Sequence, residues 1–215
     1  MQIHSDKTEE TLHNWIMEKN KKPDGRHKRR EENRKKTLEM TLLIILETGT
    51  YPDIDTIAEK TGLSRRSIFH YFNNGNELLL AVSDLFTEQM IDRFNIPEAD
   101  PVRSLEDTML QYLEFRVRFN EVLTPLRQVI EERKRTHPEL QDNIEIKRKR
   151  VLGRITELFS PFYPDEEEFE NIKKMLFCNF SWNIWVLYRI EFRLSIEESR
   201  VLLEKQIRAI LGFNR

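Results

Sequence analysis

At 215 residues the chain is long enough to bury a substantial core and falls between the sizes expected for one domain and for two. Its 35 Lys and Arg against 37 Asp and Glu leave a formal net charge of −2, which excludes a polycation that coats nucleic acid indiscriminately, so any nucleic-acid role must rest on local charge. A single cysteine, Cys178, excludes an internal disulfide framework and a cysteine-rich zinc site and fits a reducing compartment. No secretory pattern opens the chain, and its most apolar stretch, Met175 to Tyr188, is interrupted by Asn179, Ser181 and Asn183, short of the roughly 18 to 20 apolar residues of a membrane span. The expectation is a soluble, cytoplasmic protein with no membrane partner. Gly (6) and Pro (8) are scarce and apolar residues recur at helical spacing without strand-like alternation, so the predicted class is all-α.

In chain order, residues 1–25 read as a polar appendage with one apolar cluster, Leu12, Trp15 and Ile16, before the break at Pro23, Asp24 and Gly25. The run RHKRREENRKK from Arg26 to Lys36 holds seven basic and two acidic residues, a local charge of +5. Leu38, Leu42, Ile45 and Leu46 then mark a first helix with Gly49 as its stop, and the basic run is placed just before it. A short helix follows from Asp53 to Gly62, and a second opens at Ser64 with Ile68, Phe69 and Phe72. Asn74 with Glu77 resembles a capping box ahead of a longer helix through Phe94. The interruption at Ile96 to Pro101 is the predicted domain boundary. Helices are expected beyond it at Pro101–Asn120, Pro125–Thr136, Pro138–Phe159, Asp165–Leu194 and Ser195–Leu211, several opened by Pro or, at Ser195 and Glu198, by a capping box. The expected organisation is thus an appendage (1–25), a helix-turn-helix domain with its linking helix (26–95) and a larger helical domain (96–215).

The segment Ile54 to Phe72, IDTIAEKTGLSRRSIFHYF, has helix-turn-helix spacing. Ala58 is small enough for two helices to cross closely, Gly62 can take a left-handed conformation, and Leu63 and Ile68 fill the wedge. Arg65, Arg66, Ser67 and His70 project from the start of the second helix, where a major groove presents base edges and phosphates.

The stretch IAEKTGLSRRSIFHYFNNGNELLLAV resembles the DNA-binding domain of the TetR family of bacterial regulators, and the resemblance covers about Thr37 to Val82. It implies a dimeric, helix-turn-helix transcriptional regulator, a repressor more than an activator, that leaves a palindromic operator when an unidentified small-molecule effector binds. By position it implies base or near-base contacts from Arg65, Arg66, Ser67 and His70, with Phe69 and Tyr71 beside the phosphate backbone. Ser64, Gly75 and Asn76 complete that set. Two positions depart from the family: Phe69 stands where Tyr is usual, and Gly75 where a phosphate-binding Lys is usual. Both thin the phosphate anchoring, and the basic run, with Arg29, Arg30 and Lys35, is assigned to compensate, since each phosphate neutralised releases counterions. The second basic cluster, Lys147 to Arg150, reads as a solvated helix face.

Ile172 to Ile190 is apolar around most of its circumference and must be covered on several faces. The resemblance implies a homodimer through the two C-terminal helices, the last carrying Ile196, Leu203, Ile207, Ile210 and Leu211, which would set paired recognition helices about 34 to 36 Å apart. An effector pocket is assigned to Tyr112, Phe115, Phe119, Phe159, Phe177, Asn179, Trp182 and Trp185, an aromatic set with a polar fixer that serves equally as core.

No enzyme is expected. The one Glu-x-x-His spacing, Glu10 with His13, lies in the appendage, and no HExxH, Walker A or dinucleotide glycine motif occurs. No catalytic residue, metal or cofactor is assigned. The alternatives are a helical protein that uses the motif for protein contacts or, further off, an all-α enzyme.

Overall fold

The structure, a computed structural model, describes residues 26–213; the appendage and its Leu12, Trp15, Ile16, Glu10 and His13 lie outside them. The described residues are all-α, with no strand among them. The helices are α1 (Arg26–Thr48), α2 (Ile54–Thr61), α3 (Arg65–Tyr71), α4 (Gly75–Phe94), α5 (Leu105–Arg133), α6 (Pro138–Phe159), α7 (Glu166–Phe180), α8 (Trp182–Val186) and α9 (Ile196–Ile210). A 3-10 turn at Ser160–Phe162 and a π-turn at Leu187–Glu191 follow α6 and α8. No described helix is long and apolar enough to cross a membrane.

The chain divides into two compact units, one made of the residues up to Glu88 together with Pro125–Leu140, the other of Gln89–Thr124 and Gln141 onward. Residues 125–140 thus group with the N-terminal unit, whereas the sequence places everything after residue 96 in the second domain. Periodicity tells which face of a helix is apolar but not which unit covers it.

Several segments differ from the sequence-based expectation. The basic run is not an arm ahead of the first helix: α1 begins at Arg26 and includes it, since Arg, Lys and Glu are all strong helix formers. Nor does Pro125 start a helix. It lies inside α5, where its missing N–H costs one bond, and the burial of Leu126, Val129 and Ile130 after it keeps the helix running. The start expected at Pro101 comes instead at Leu105, where the Ser104 hydroxyl accepts from Asp107 N–H at 3.0 Å. The single helix expected over Asp165–Leu194 is broken at Ser181, whose backbone is extended (φ −71°, ψ 152°) and whose hydroxyl donates to the Cys178 carbonyl (2.7 Å) and accepts from Ile184 N–H.

That break is tied to the core of the C-terminal unit. The Phe180 carbonyl, the last of α7, accepts from Arg116 Nε at 3.0 Å and Asn120 Nδ2 at 3.3 Å, and Arg116 Nη2 donates to Asn120 Oδ1 at 2.9 Å. Both side chains are buried, and burial lowers the Arg116 pKa, a cost the negative end of α7 offsets. Around them Tyr112, Phe159, Phe180 and Trp185 form the interior, with the Tyr112 ring edge-on to Phe180 at 4.7 Å. Glu121 takes the Trp185 indole N–H at 2.8 Å and a two-point contact from Arg189, which holds the Arg189 charge and raises its pKa. Leu203, Ile207 and Leu211 of the last helical segment face this core. Of the apolar residues named on the last helix for a subunit interface, Ile196 is exposed and Ile210 half-buried, while Leu203, Ile207 and Leu211 are buried.

Asn120→Ala leaves a buried carbonyl with one donor fewer and Arg116 without its amide partner. It is expected to cost about 1 to 3 kcal/mol, read as a lower urea midpoint at unchanged slope.

Candidate nucleic-acid interface

Two helices of eight and seven residues, α2 and α3, cannot persist alone, so the head that they form with their neighbours exists because its apolar side chains are buried in common. Ile57 and Thr61 of α2 and Ile68 of α3 are buried, as are Phe72 just after it and Leu42, Ile45, Leu79 and Val82 of the flanking helices. Each end is capped. Asp53 accepts from Thr56 N–H at 2.7 Å, and that bond holds its carboxyl below the usual range. Gly62 closes α2 with φ of 67°, a left-handed conformation that an L side chain adopts only under strain. Ser64 caps α3 by accepting from Ser67 N–H at 3.1 Å, and the two hydroxyls bond each other at 2.9 Å. Ser64 and Ser67, both expected to contact DNA, therefore have hydroxyls already engaged locally.

With Ile68 and Phe72 pointing inward, α3 turns Arg65, Arg66, Phe69 and His70 to solvent. Phe69 is 53% exposed, a large apolar ring left in water beside two arginines. The two arginines differ in partners. Arg65 makes a two-point ion pair with Asp55 of α2, whereas Arg66 has no partner among the described residues. Tyr71 is half-buried, and its hydroxyl accepts from Asn33 Nδ2 at 3.4 Å, leaving its own proton free to donate.

Asn33 lies inside the basic run. Through its bond to Tyr71, and through Arg34, whose guanidinium sits 5.1 Å from the Phe72 ring, the structure brings the first turns of α1 against the end of α3. Arg29 and Arg30 are exposed there, and Lys35 is exposed with Glu39 at 3.6 Å. This joins the basic run to α3, which spacing along the chain did not reveal.

Gly75 has a physical reason. A Cβ at this position would meet the Tyr51 hydroxyl at 3.2 Å, and that hydroxyl donates to the Gly75 carbonyl at 2.7 Å. Asn74 caps α4 by accepting from Asn76 and Glu77 N–H, both at 2.9 Å, while Glu77 reaches back to Asn73 and not to Asn74, so the expected box closes one residue earlier. Arg133, from the end of α5, lies over the Tyr51 ring at 4.1 Å and donates to the Asn76 side chain at 3.4 Å. A cavity of about 300 Å³ opens beside these groups, lined by Tyr51, Ile57, Phe69, Phe72, Gly75 and Arg133. Asp55, Tyr51 and Arg133 were all missed from sequence. Asp55 carried one weak signal, an acidic residue in the first turn of a helix, but the other two are joined only by the fold.

In the C-terminal unit the residues assigned to an effector pocket are packed together. Tyr112 contacts Phe115 at 5.9 Å and Phe159 at 6.1 Å, and Phe115 contacts Phe119 at 5.7 Å. Trp185 is fully buried, Trp182 donates its indole N–H to Thr124 at 3.1 Å, and the Asn179 amide is engaged with the Met175 carbonyl at 2.9 Å. Phe177 is half-buried against the same core. Lys149 and Arg150 are exposed on α6, and Arg148 pairs with Glu145 at 2.8 Å.

No protein-family model matches the chain, and no curated protein or solved structure matches it either.

Burial pushes the Tyr51 hydroxyl up to about 12, against an opposing pull from Arg133. An unfolded Tyr ionises near about 10, and a raised pKa in the folded state means that the contribution is fully present below that value and is lost as pH rises towards 12. Thermal unfolding from about pH 9 to 12 should therefore show a steepening loss of stability that Tyr51→Phe reduces. Gly75→Ala is expected to destabilise by about 1 kcal/mol in the parent and by measurably less in the Tyr51→Phe background, where the crowded oxygen is absent.

Proposed function

We propose that the chain is a DNA-binding transcriptional regulator of the TetR type that acts as a homodimer. The observation that carries this reading is the exposed set Arg65, Arg66, Phe69 and His70 of α3 together with the exposed Arg29 and Arg30 of α1, a helix whose Asn33 is bonded to Tyr71 of α3. A capped seven-residue helix with a cationic, solvent-facing side suits insertion into a major groove, where Arg is the best reader of guanine. The exposed arginines of α1 suit the flanking phosphates. Arg66, with no partner among the described residues, is the first choice as base reader.

Homodimerisation is assigned to α7 and α9, whose Met175, Ile196 and Leu202 remain exposed although the helices are otherwise buried against their own unit. Two heads on a two-fold axis would read a palindrome. Repression, and its relief by a small effector in the aromatic C-terminal unit, complete the reading on the strength of the resemblance.

The test is selection of bound duplexes from a random pool, followed by gel-shift titration across a salt series and sedimentation of the free protein. Arg66→Ala is expected to cost about 1 to 3 kcal/mol at one or two operator positions only. Replacing Arg29, Arg30 and Lys35 by Gln should weaken binding to all sequences and flatten the slope of log affinity against log salt by about 0.9 for each phosphate no longer neutralised. Absence of any salt-sensitive binding by the parent protein at low salt overturns the proposal.

A further inference from the structure

Arg65 opens α3 at its first helical position, immediately after the Ser64 cap. A cation there faces the positive end of the helix dipole and gains from a nearby anion. Asp55 supplies it from the first turn of α2, a position where a carboxylate is itself favoured. The contact is bidentate: Arg65 Nε donates to one carboxylate oxygen and Nη2 to the other. Both side chains are well exposed (60% and 59%), so the pair adds little to folding stability. Its importance lies in what it occupies. The Nε–Nη2 edge that Asp55 takes is one of the two paired N–H edges through which an arginine can hold guanine O6 and N7, or two oxygens of a phosphate.

We infer that Asp55 competes with DNA for the Arg65 fork: it holds the Nε and Nη2 donors in the free protein, so that a base edge or a phosphate must displace the carboxylate to take them, and Asp55 thereby sets the affinity of the site. The inference rests on the DNA-binding reading above. It divides the two adjacent arginines by role. Arg66, with no partner among the described residues, can engage a duplex directly, whereas Arg65 offers its Nε–Nη2 edge only by giving up Asp55. The cost of giving up the pair falls in full on any complex in which this edge of Arg65 meets DNA, and on a complex that leaves Arg65 with Asp55 it does not fall at all, so Asp55 lowers operator affinity at least as much as nonspecific affinity.

The test compares the parent protein, Asp55→Asn, Arg65→Gln and the double variant on two duplexes, a selected operator and a scrambled sequence, across a salt series. Asp55→Asn is expected to tighten binding to the operator by about two- to five-fold and to the scrambled duplex by no more than that, so that the ratio between the two is unchanged or rises. In the Arg65→Gln background the same change should have no such effect. Glu59→Gln, which removes an exposed carboxylate from the same helix, controls for loss of negative charge alone. Equal gains from Asp55→Asn and Glu59→Gln, or equal gains with and without Arg65, overturn the inference while leaving the regulator reading intact. A parent protein that binds neither duplex overturns both. Melting temperatures of all variants should stay within about 2 °C, since exposed substitutions of this kind change stability little.

Discussion

The head formed by α2 and α3 depends on the burial of one side chain more than on any polar contact. Ile68 is the inward-facing residue of a seven-residue helix, and with Phe72 it fixes α3 against its neighbours. A helix this short has no stability of its own, so its orientation comes from those two side chains and from the Ser64 cap. Because Ile68 points inward, helical geometry turns Arg65, Arg66, Phe69 and His70 outward. Sterics at Gly62 set the turn before it, and the left-handed residue allows α2 and α3 to cross closely.

Charge is organised around that geometry. The net charge of the chain is close to zero, yet basic residues gather on the first turns of α1, and the Asn33 to Tyr71 contact seats that segment beside α3. Some of the groups that residue type alone marks as DNA contacts are committed within the head: Ser64 and Ser67 to each other, and Asn76 to Asn74 and Arg133. The surface that can meet a ligand without first breaking a protein contact is therefore narrower than the motif implies, and it is centred on Arg66, Phe69 and His70. At Gly75, too, an internal group takes the place of an outward one, because the Tyr51 hydroxyl fills the space that a side chain would occupy.

The C-terminal unit solves a different problem. A helix that is apolar on nearly every face is stopped at Ser181, and the freed Phe180 carbonyl becomes the acceptor for a buried Arg and Asn. A second polar tie, Glu121 with Trp185 and Arg189, serves the turn that follows. Such networks are costly unless fully paired, and here each member has its partner. They hold Tyr112, Phe159, Phe180 and Trp185 in one packed interior, so that opening a ligand site among them requires rearrangement of these ties.

The amino-acid sequence by itself determined the all-α class, the two short helices and their turn, the Asp53, Ser64 and Ser195 caps, and the outward residues of α3. These follow from periodicity and from cap chemistry acting over three or four residues. Tertiary structure decided what depends on partners distant in the chain. Pro125 stays helical because burial after it outweighs one missing bond, and Ser181 breaks a helix whose end is received by Arg116 and Asn120, 64 and 60 positions away from Phe180. The grouping of residues 125–140 with the head, the placing of Arg133 over Tyr51, and the pairing of Arg65 with Asp55 likewise arise from folding. A local pattern encodes which face of a helix is apolar, but not which neighbour covers it or which charge is already paired when a ligand arrives.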